Sequence, residues 1–267
     1  MDTATLMGIM LGIIGVMGGN IMEGGSPSAL INIPGFMIVV VGSLGAGIMA
    51  VPLSTVKTMP KLFGKAFKEQ PVDAAAIVPQ FEQMADKARR EGLLSLEEES
   101  SSIDDEFTQK GLQLIIDGTD PEALREIMEN EIGSMEERHK KGAAFLEGIG
   151  AYSPTLGVLG AIMGLISVLG HLDDPNADLG HGIAVAFVAS FYGVFTANII
   201  WLPLANKLKL KSKAEIQLRE IVMEGLLAIQ AGDNPRIVKD KLQGFLAPTE
   251  RNAEPAAAGA ASEADAA

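Results

Sequence analysis

The basic residues of this chain fall into two blocks, and long apolar stretches fill the gaps between them. The first lysine or arginine is Lys57, and none stands between Lys141 and Lys207. Within the gaps lie residues 4–22, 31–53, 149–170 and 182–204, rich in glycine and large aliphatics. Each is close to the ~20 apolar residues that carry a helix across a bilayer. In lipid a spanning segment must satisfy its own backbone, which a helix does alone. The chain therefore reads as an all-α integral membrane protein with four transmembrane helices.

Charge then orients the spans. The tracts Glu23 to Leu30 and His171 to Gly180 carry acids but no lysine or arginine. Lys57, Lys61, Lys65 and Lys68 follow the second span, Arg138, Lys140 and Lys141 precede the third, and Lys207, Lys209, Lys211 and Lys213 follow the fourth. Excess Lys and Arg marks the cytoplasmic side. Residues 1–53 are then spans one and two, and 54–147 a cytoplasmic helical domain. Spans three and four occupy 148–204, and 205–247 form a second cytoplasmic helical segment, with both termini inside. The opening stretch lacks a basic leader and is too long for a signal core, so it is read as a retained span. A net charge of −13 argues against nucleic acid as a partner, which would need a basic face. The chain has no cysteine, so disulfides and thiolate metal sites are excluded.

The cytoplasmic stretches carry helical punctuation. Pro71 precedes an amphipathic run with Phe81, Met84 and Ala88, then Leu93, Leu94 and Leu96. Ile103, Phe107, Gly111, Leu114 and Ile115 share one helical face. Asp120-Pro121-Glu122 opens another helix, expected to run through Met135 into span three. Residues 214–246 repeat the pattern and are broken at Gly232-Asp233-Asn234-Pro235. Residues 248–267 lack large apolar side chains and are expected to be a disordered tail.

Inside the spans, small residues recur every four positions: Gly8 and Gly12, Gly42 and Ala46, Gly160 and Gly164, Ala189, Gly193 and Ala197. Such residues let membrane helices approach closely. "GVLGAIMG" is no phosphate loop, because no Lys-Ser/Thr follows it. Ionisable groups at membrane depth would mark a conduction path, and there are almost none. Glu147 sits at one lip, with His171 and His181 at outer ends; the remaining polar groups are hydroxyls and amides. If the protein moves ions, a binding carboxylate must come from another chain. Pro154 inside span three and Pro203 at the end of span four each free a backbone carbonyl and allow a kink. Trp201 fits an interfacial anchor.

Four strings, "ARREGLLSLEE" from Ala88, "EERHKKGAAF" from Glu136, "SPTLGVLGAIMGLI" from Ser153 and "WLPLANKLKLKS" from Trp201, resemble the motility protein A family of flagellar motor stators. The resemblance extends to about Pro248. It implies a homo-pentameric ring in the bacterial inner membrane around a B-type subunit, which supplies the aspartate and a peptidoglycan-binding domain. Ion flow past that aspartate would turn the ring against the rotor switch protein. Arg89 with Arg90 and Glu97 with Glu98 match the family's rotor-facing charges. Pro154 and Pro203 match its two functional prolines, with Thr155, Ala161 and Ser190 along the ion path. Ala161 stands where sodium-type members carry threonine, so the transported ion is expected to be the proton, with sodium the alternative; no cofactor or metal is expected.

Three other functions compete. An energising subunit of a cell-envelope transport system usually has three spans, with its large cytoplasmic part after the first. A secondary transporter would need buried charge and broken-helix repeats. A membrane enzyme would need an acid–base constellation, and the chain offers three histidines and no cysteine.

Overall fold

A computed structural model describes residues 2–68, 74–174, 178–246 and Arg251. Among these residues the secondary structure is helical throughout, with no strand. Within them we number nine helices: α1 Thr3–Met22, α2 Ile33–Met49, α3 Leu53–Phe67, α4 Ala74–Glu91, α5 Glu97–Ser102, α6 Glu106–Ile116, α7 Pro121–Leu169, α8 Leu179–Gln230 and α9 Pro235–Gln243. The expected disordered tail, residues 248–267, lies outside the described residues apart from Arg251.

Local chemistry sets most of the helix starts. Asp2, Asn32, Asp105, Asp178 and Asn234 each accept a hydrogen bond from a backbone N–H of the first turn that follows. A side-chain acceptor there satisfies one of the four donors a helix start leaves unpaired. Pro121 and Pro235 stand at the first helical position, where the missing N–H costs nothing. Gly92, Gly118 and Gly232 take positive φ just after α4, α6 and α8, the conformation that ends a helix most cheaply in glycine.

Three helices, α1, α7 and α8, are long and apolar enough to cross a membrane; α2 is apolar but shorter. The expected second span of residues 31–53 is interrupted, because the chain turns at Ala50–Pro52 before α3 begins. α7 runs unbroken from Pro121 past Pro154 to Leu169, as its opening signals suggest. α8 continues through the expected end of span four at residue 204 to Gln230. Its one irregularity is a wide turn at Ala197–Trp201, immediately before Pro203. A proline withholds the N–H that the carbonyl one turn earlier would accept, and a wider turn accommodates the gap.

The chain divides into two compact units. Met1–Gln70 and Glu137–Lys211 form the first; Pro71–Glu136 and Ser212–Ala267 form the second. The second unit has an apolar core in which Phe81, Leu96, Leu112, Ile115, Leu124, Met128, Ile221, Leu226 and Ile229 are all essentially inaccessible. Each contributes about 1.5–3 kcal/mol of apolar burial. Of the positions read from helical spacing, Phe81, Met84, Ala88, Phe107 and Ile115 are buried there, while Leu94 is exposed. Beside this core, Arg219 donates to both oxygens of Asp105 at 2.5 and 2.6 Å and lies 4.9 Å over the Phe107 ring.

Partial burial pushes the Asp105 carboxyl up, but hydrogen bonds from Arg219 and Thr108 outweigh it and hold the group below its ordinary value. A carboxyl depressed in the folded state stabilises above its unfolded value, about pH 4, and loses that contribution as pH falls through the folded value. Asp105→Asn should therefore lower stability near neutrality by about 1 kcal/mol. The effect stays this small because the Asp105 side chain is 39% exposed and solvent screens the pair. Thermal unfolding of the purified protein checks this: the deficit should hold from about pH 8 to pH 6 and shrink below about pH 4.

Candidate functional site

In the first unit, α7 and α8 meet backbone to backbone. A Cβ placed on Gly193 would lie 2.6 Å from the Ser153 carbonyl oxygen and 3.1 Å from the Cα of both Gly157 and Pro154. One on Gly157 would lie 3.0 Å from the Ala189 carbonyl, and ones on Gly160 and Gly164 would strike Ala189 and Ala186. The spacing of small residues seen in the sequence is thus used between these two helices. α2 joins the same seam, where Gly35 approaches the Cα of Ala189. With lipid on the outside there is little hydrophobic gain from pairing helices, so close packing of this kind holds them.

The polar groups of the seam are satisfied internally. The Ser190 hydroxyl donates to the Gly157 carbonyl at 3.3 Å, and buried Ser153 donates to Ile149 at 2.8 Å. Tyr192 bridges α8 to the start of α2: its hydroxyl donates to the Leu30 carbonyl at 2.5 Å and accepts from the Asn32 N–H at 3.0 Å. Thr196, buried, donates to the Tyr192 carbonyl just ahead of the wide turn.

The expected ion-path residues separate into two groups. Pro154 and Ser190 lie at the α7–α8 seam, and Ala161, half-buried, follows Gly160 on the same helix. Thr155 is exposed and its hydroxyl bonds back to Tyr152. Pro203 instead lines a cavity of about 270 Å³ against α1, together with Thr5, Gly8, Asn198 and Lys207. Trp201, expected at an interface, is buried edge-on to Phe63, in a core with Leu146, Ile149, Leu204 and Leu208.

Spacing did not anticipate two features near this core. Asp2 pairs with Lys207 at 2.6 Å and Lys211 at 3.3 Å, while its N–H donates to the Phe67 carbonyl. The hydrogen bond from Lys207 leads in holding the Asp2 carboxyl far below the usual carboxylate range, against a smaller opposing effect of desolvation. The readable signal was an acid at the cap position ahead of an apolar run. The Tyr192 bridge had no signal, since its ends are 160 residues apart.

In the second unit, Arg89 and Arg90 end α4, and Glu97 and Glu98 begin α5, all exposed. The turn at Gly92 and the short 3₁₀ segment Leu93–Leu96 separate them. Arg90 pairs with Asp86 at 3.0 Å. Beneath this rim, Lys87 donates to Glu99 at 3.0 Å, tying α4 to α5. That hydrogen bond is the main reason the Lys87 ammonium holds its proton more tightly than a free lysine. Among the described residues no group of His, Cys, Asp and Glu could hold a metal ion.

Long apolar helices held together by close backbone contacts are the build of a helical membrane protein. The MotA/TolQ/ExbB proton channel family matches residues 99–221, and the motility protein A N-terminal family matches residues 6–92. Motility protein A of Bacillus subtilis is 42% identical over 94% of this chain and 93% of its own length. Among solved structures, the flagellar MotAB stator complex from Bacillus subtilis matches with a TM-score of 0.86 and 42% identity. The match covers 93% of this chain and 98% of that one. MotAB of C. jejuni matches with a TM-score of 0.89 and 32% identity, over 93% of this chain and 97% of that one. The chain belongs to the motility protein A family of flagellar stator subunits.

The seam is open to a direct test. Gly193→Val places atoms against the Ser153 backbone, which a rotamer change cannot relieve, and should cost at least about 2 kcal/mol. Gly133→Val, at an exposed turn of α7 with nothing within 4 Å, should be neutral or slightly stabilising. Thermal unfolding of the two purified variants in detergent separates the cases.

Proposed function

We propose that this chain is the ring-forming component of a proton-driven flagellar stator, with α1, α2, α7 and α8 as four spans and both termini in the cytoplasm. The observation that carries the reading is chemical. The apolar stretches of these four helices contain no Asp, Glu, Lys or Arg. Leu11, Ile14, Met49, Ile166, Phe187 and Val194 leave apolar flanks exposed for lipid and neighbouring subunits. Hydroxyls and amides line such a wall, but none titrates near neutral pH. The titrating carboxylate is therefore the contribution of a B-type subunit, and a pentamer of this chain forms the sleeve around it.

Ala161 offers no oxygen where a dehydrated sodium ion would need several, and this favours the proton as the coupled ion. Pro154, packed against Gly193 on the α7–α8 seam, is the residue we assign to coupling helix movement to ion passage; Pro203, on the α1 side, accompanies the wide turn of α8. Residues 54–147 and 205–247 act as the cytoplasmic part. Arg89, Arg90, Glu97 and Glu98, displayed on adjoining helix ends, form the surface that meets oppositely charged groups on the rotor switch protein.

Reconstituted in vesicles, the chain alone should pass protons and sodium at the background rate, and addition of the B-type subunit should open a proton path that sodium removal leaves intact. Pro154→Ala should assemble with the B-type subunit yet slow that flux. Proton flow through the chain by itself would overturn the donated-carboxylate reading, and sodium-dependent flow would overturn the ion assignment.

The rotor surface has its own check. Arg89→Glu combined with Glu97→Lys should abolish swimming while leaving membrane assembly intact; a normally swimming double variant would remove these residues from the interface.

A further inference from the structure

α3 has two unlike sides. Met59 and Ala66 are buried, and Leu62, Phe63 and Phe67 pack with them against Phe145, Leu146, Ile149, Trp201 and Leu208. Opposite them, Lys57, Lys61 and Lys65 follow one another at intervals of four, and Lys68 comes three residues later, at the helix end. At about 100° per residue these four fall within roughly 80° of arc. All four are exposed, and none has an acidic partner among the described residues. Residues 53–68 contain no Asp or Glu, in a chain whose net charge is −13. The next acid along the chain, Glu69, lies outside the described residues, and such a stripe attracts an external anion.

The helix is also held so that it cannot roll. Lys211 donates to the carbonyls of Lys65, Ala66 and Lys68 at 2.9, 3.1 and 2.6 Å, closing the end of α3 onto α8. Asp2 reaches the same point by its N–H to the Phe67 carbonyl. Its apolar side is pinned by the Phe63–Trp201 contact and by Leu62, which occupies the space a Cβ on Gly142 would need. α3 starts only four residues after the apolar helix α2 ends, so it lies where a span meets the membrane surface. A basic amphipathic helix at that level matches the headgroups of anionic lipid.

We propose that the Lys57–Lys61–Lys65–Lys68 stripe of α3 binds the phosphate headgroups of anionic phospholipid in the surrounding bilayer. The helix then acts as an electrostatic anchor that fixes the depth and rotation of α2 and α8. The inference rests on the chain spanning the membrane with α3 on its cytoplasmic side. It needs neither ion flow nor a rotor, so its failure and the failure of the stator reading are separable.

The test uses the full chain assembled with its B-type subunit in nanodiscs of pure phosphatidylcholine, and of phosphatidylcholine mixed with phosphatidylglycerol. Native mass spectrometry should show phosphatidylglycerol retained in preference to phosphatidylcholine, with retention falling as salt rises. Replacing the lysines one at a time by glutamine should weaken retention about fivefold each. The quadruple Lys→Arg variant should keep it, and inorganic phosphate should not compete at millimolar concentration. Equal retention of the two lipids by the unaltered protein would overturn the proposal, and so would a quadruple Lys→Gln variant that melts normally and still retains phosphatidylglycerol. Should the Lys→Gln variants fail to assemble, the comparison of the two lipids on the unaltered protein decides alone.

Discussion

The membrane-facing half of this protein depends on the closeness with which α7 and α8 approach. Gly157, Gly160 and Gly164 on one helix meet Ala186, Ala189 and Gly193 on the other with no side chain larger than a methyl group between them. In water the apolar faces would drive the pairing; in lipid they do not, and what remains is packing and internally satisfied polar groups. The seam supplies both, through small residues and through hydroxyls that bond within the bundle, Ser190 to Gly157 and Tyr192 to the α2 start. Pro154 sits in this tight region without breaking its helix, its Cα 3.1 Å from where a Cβ on Gly193 would stand.

The second unit is stabilised by other means. Its core of Phe81, Leu124, Met128, Ile221 and Leu226 excludes water in the ordinary way. The charged groups at its edge are paired across elements: Asp105 with Arg219, Lys87 with Glu99, Lys239 with Glu82. Glu97 and Glu98, by contrast, are exposed at the start of α5 without such pairs among the described residues. Lys87 and Glu99 hold the rim, and Arg90 on it pairs with Asp86 of its own helix.

Electrostatics also separates the two faces of the membrane part. Apolar flanks suit lipid or a second copy, and the lysine side of α3 suits an anionic surface. Asp2 enters the basic cluster formed by Lys207 and Lys211. Through Lys207 and Lys211 it ties the start of α1 to α8. Glu147 does the same for α7 through Lys209.

Much of this was legible without a structure. Apolar length, the one-sided lysines, the cap signal at Asp120-Pro121 and the break at Gly232-Asp233-Asn234-Pro235 are local quantities, governed by solvation and backbone hydrogen bonding within a few residues. They placed the long helices and much of the second unit's core, Phe107 and Ile115 included. The one-turn rise of small residues announced that helices would touch, but not which ones, because periodicity names a face and never its partner. The residue strings likewise marked Arg89, Glu97, Pro154 and Pro203, while their surroundings stayed hidden. Tertiary structure alone decided that Pro154 meets Gly193 while Pro203 lines the α1 cavity, that Trp201 is enclosed against Phe63, and that the apolar side of α3 closes on Phe145 and Trp201 and leaves its lysines outward. Each of these is a contact between residues distant in the chain, and the free energy of such a contact depends on neighbours that no local pattern contains.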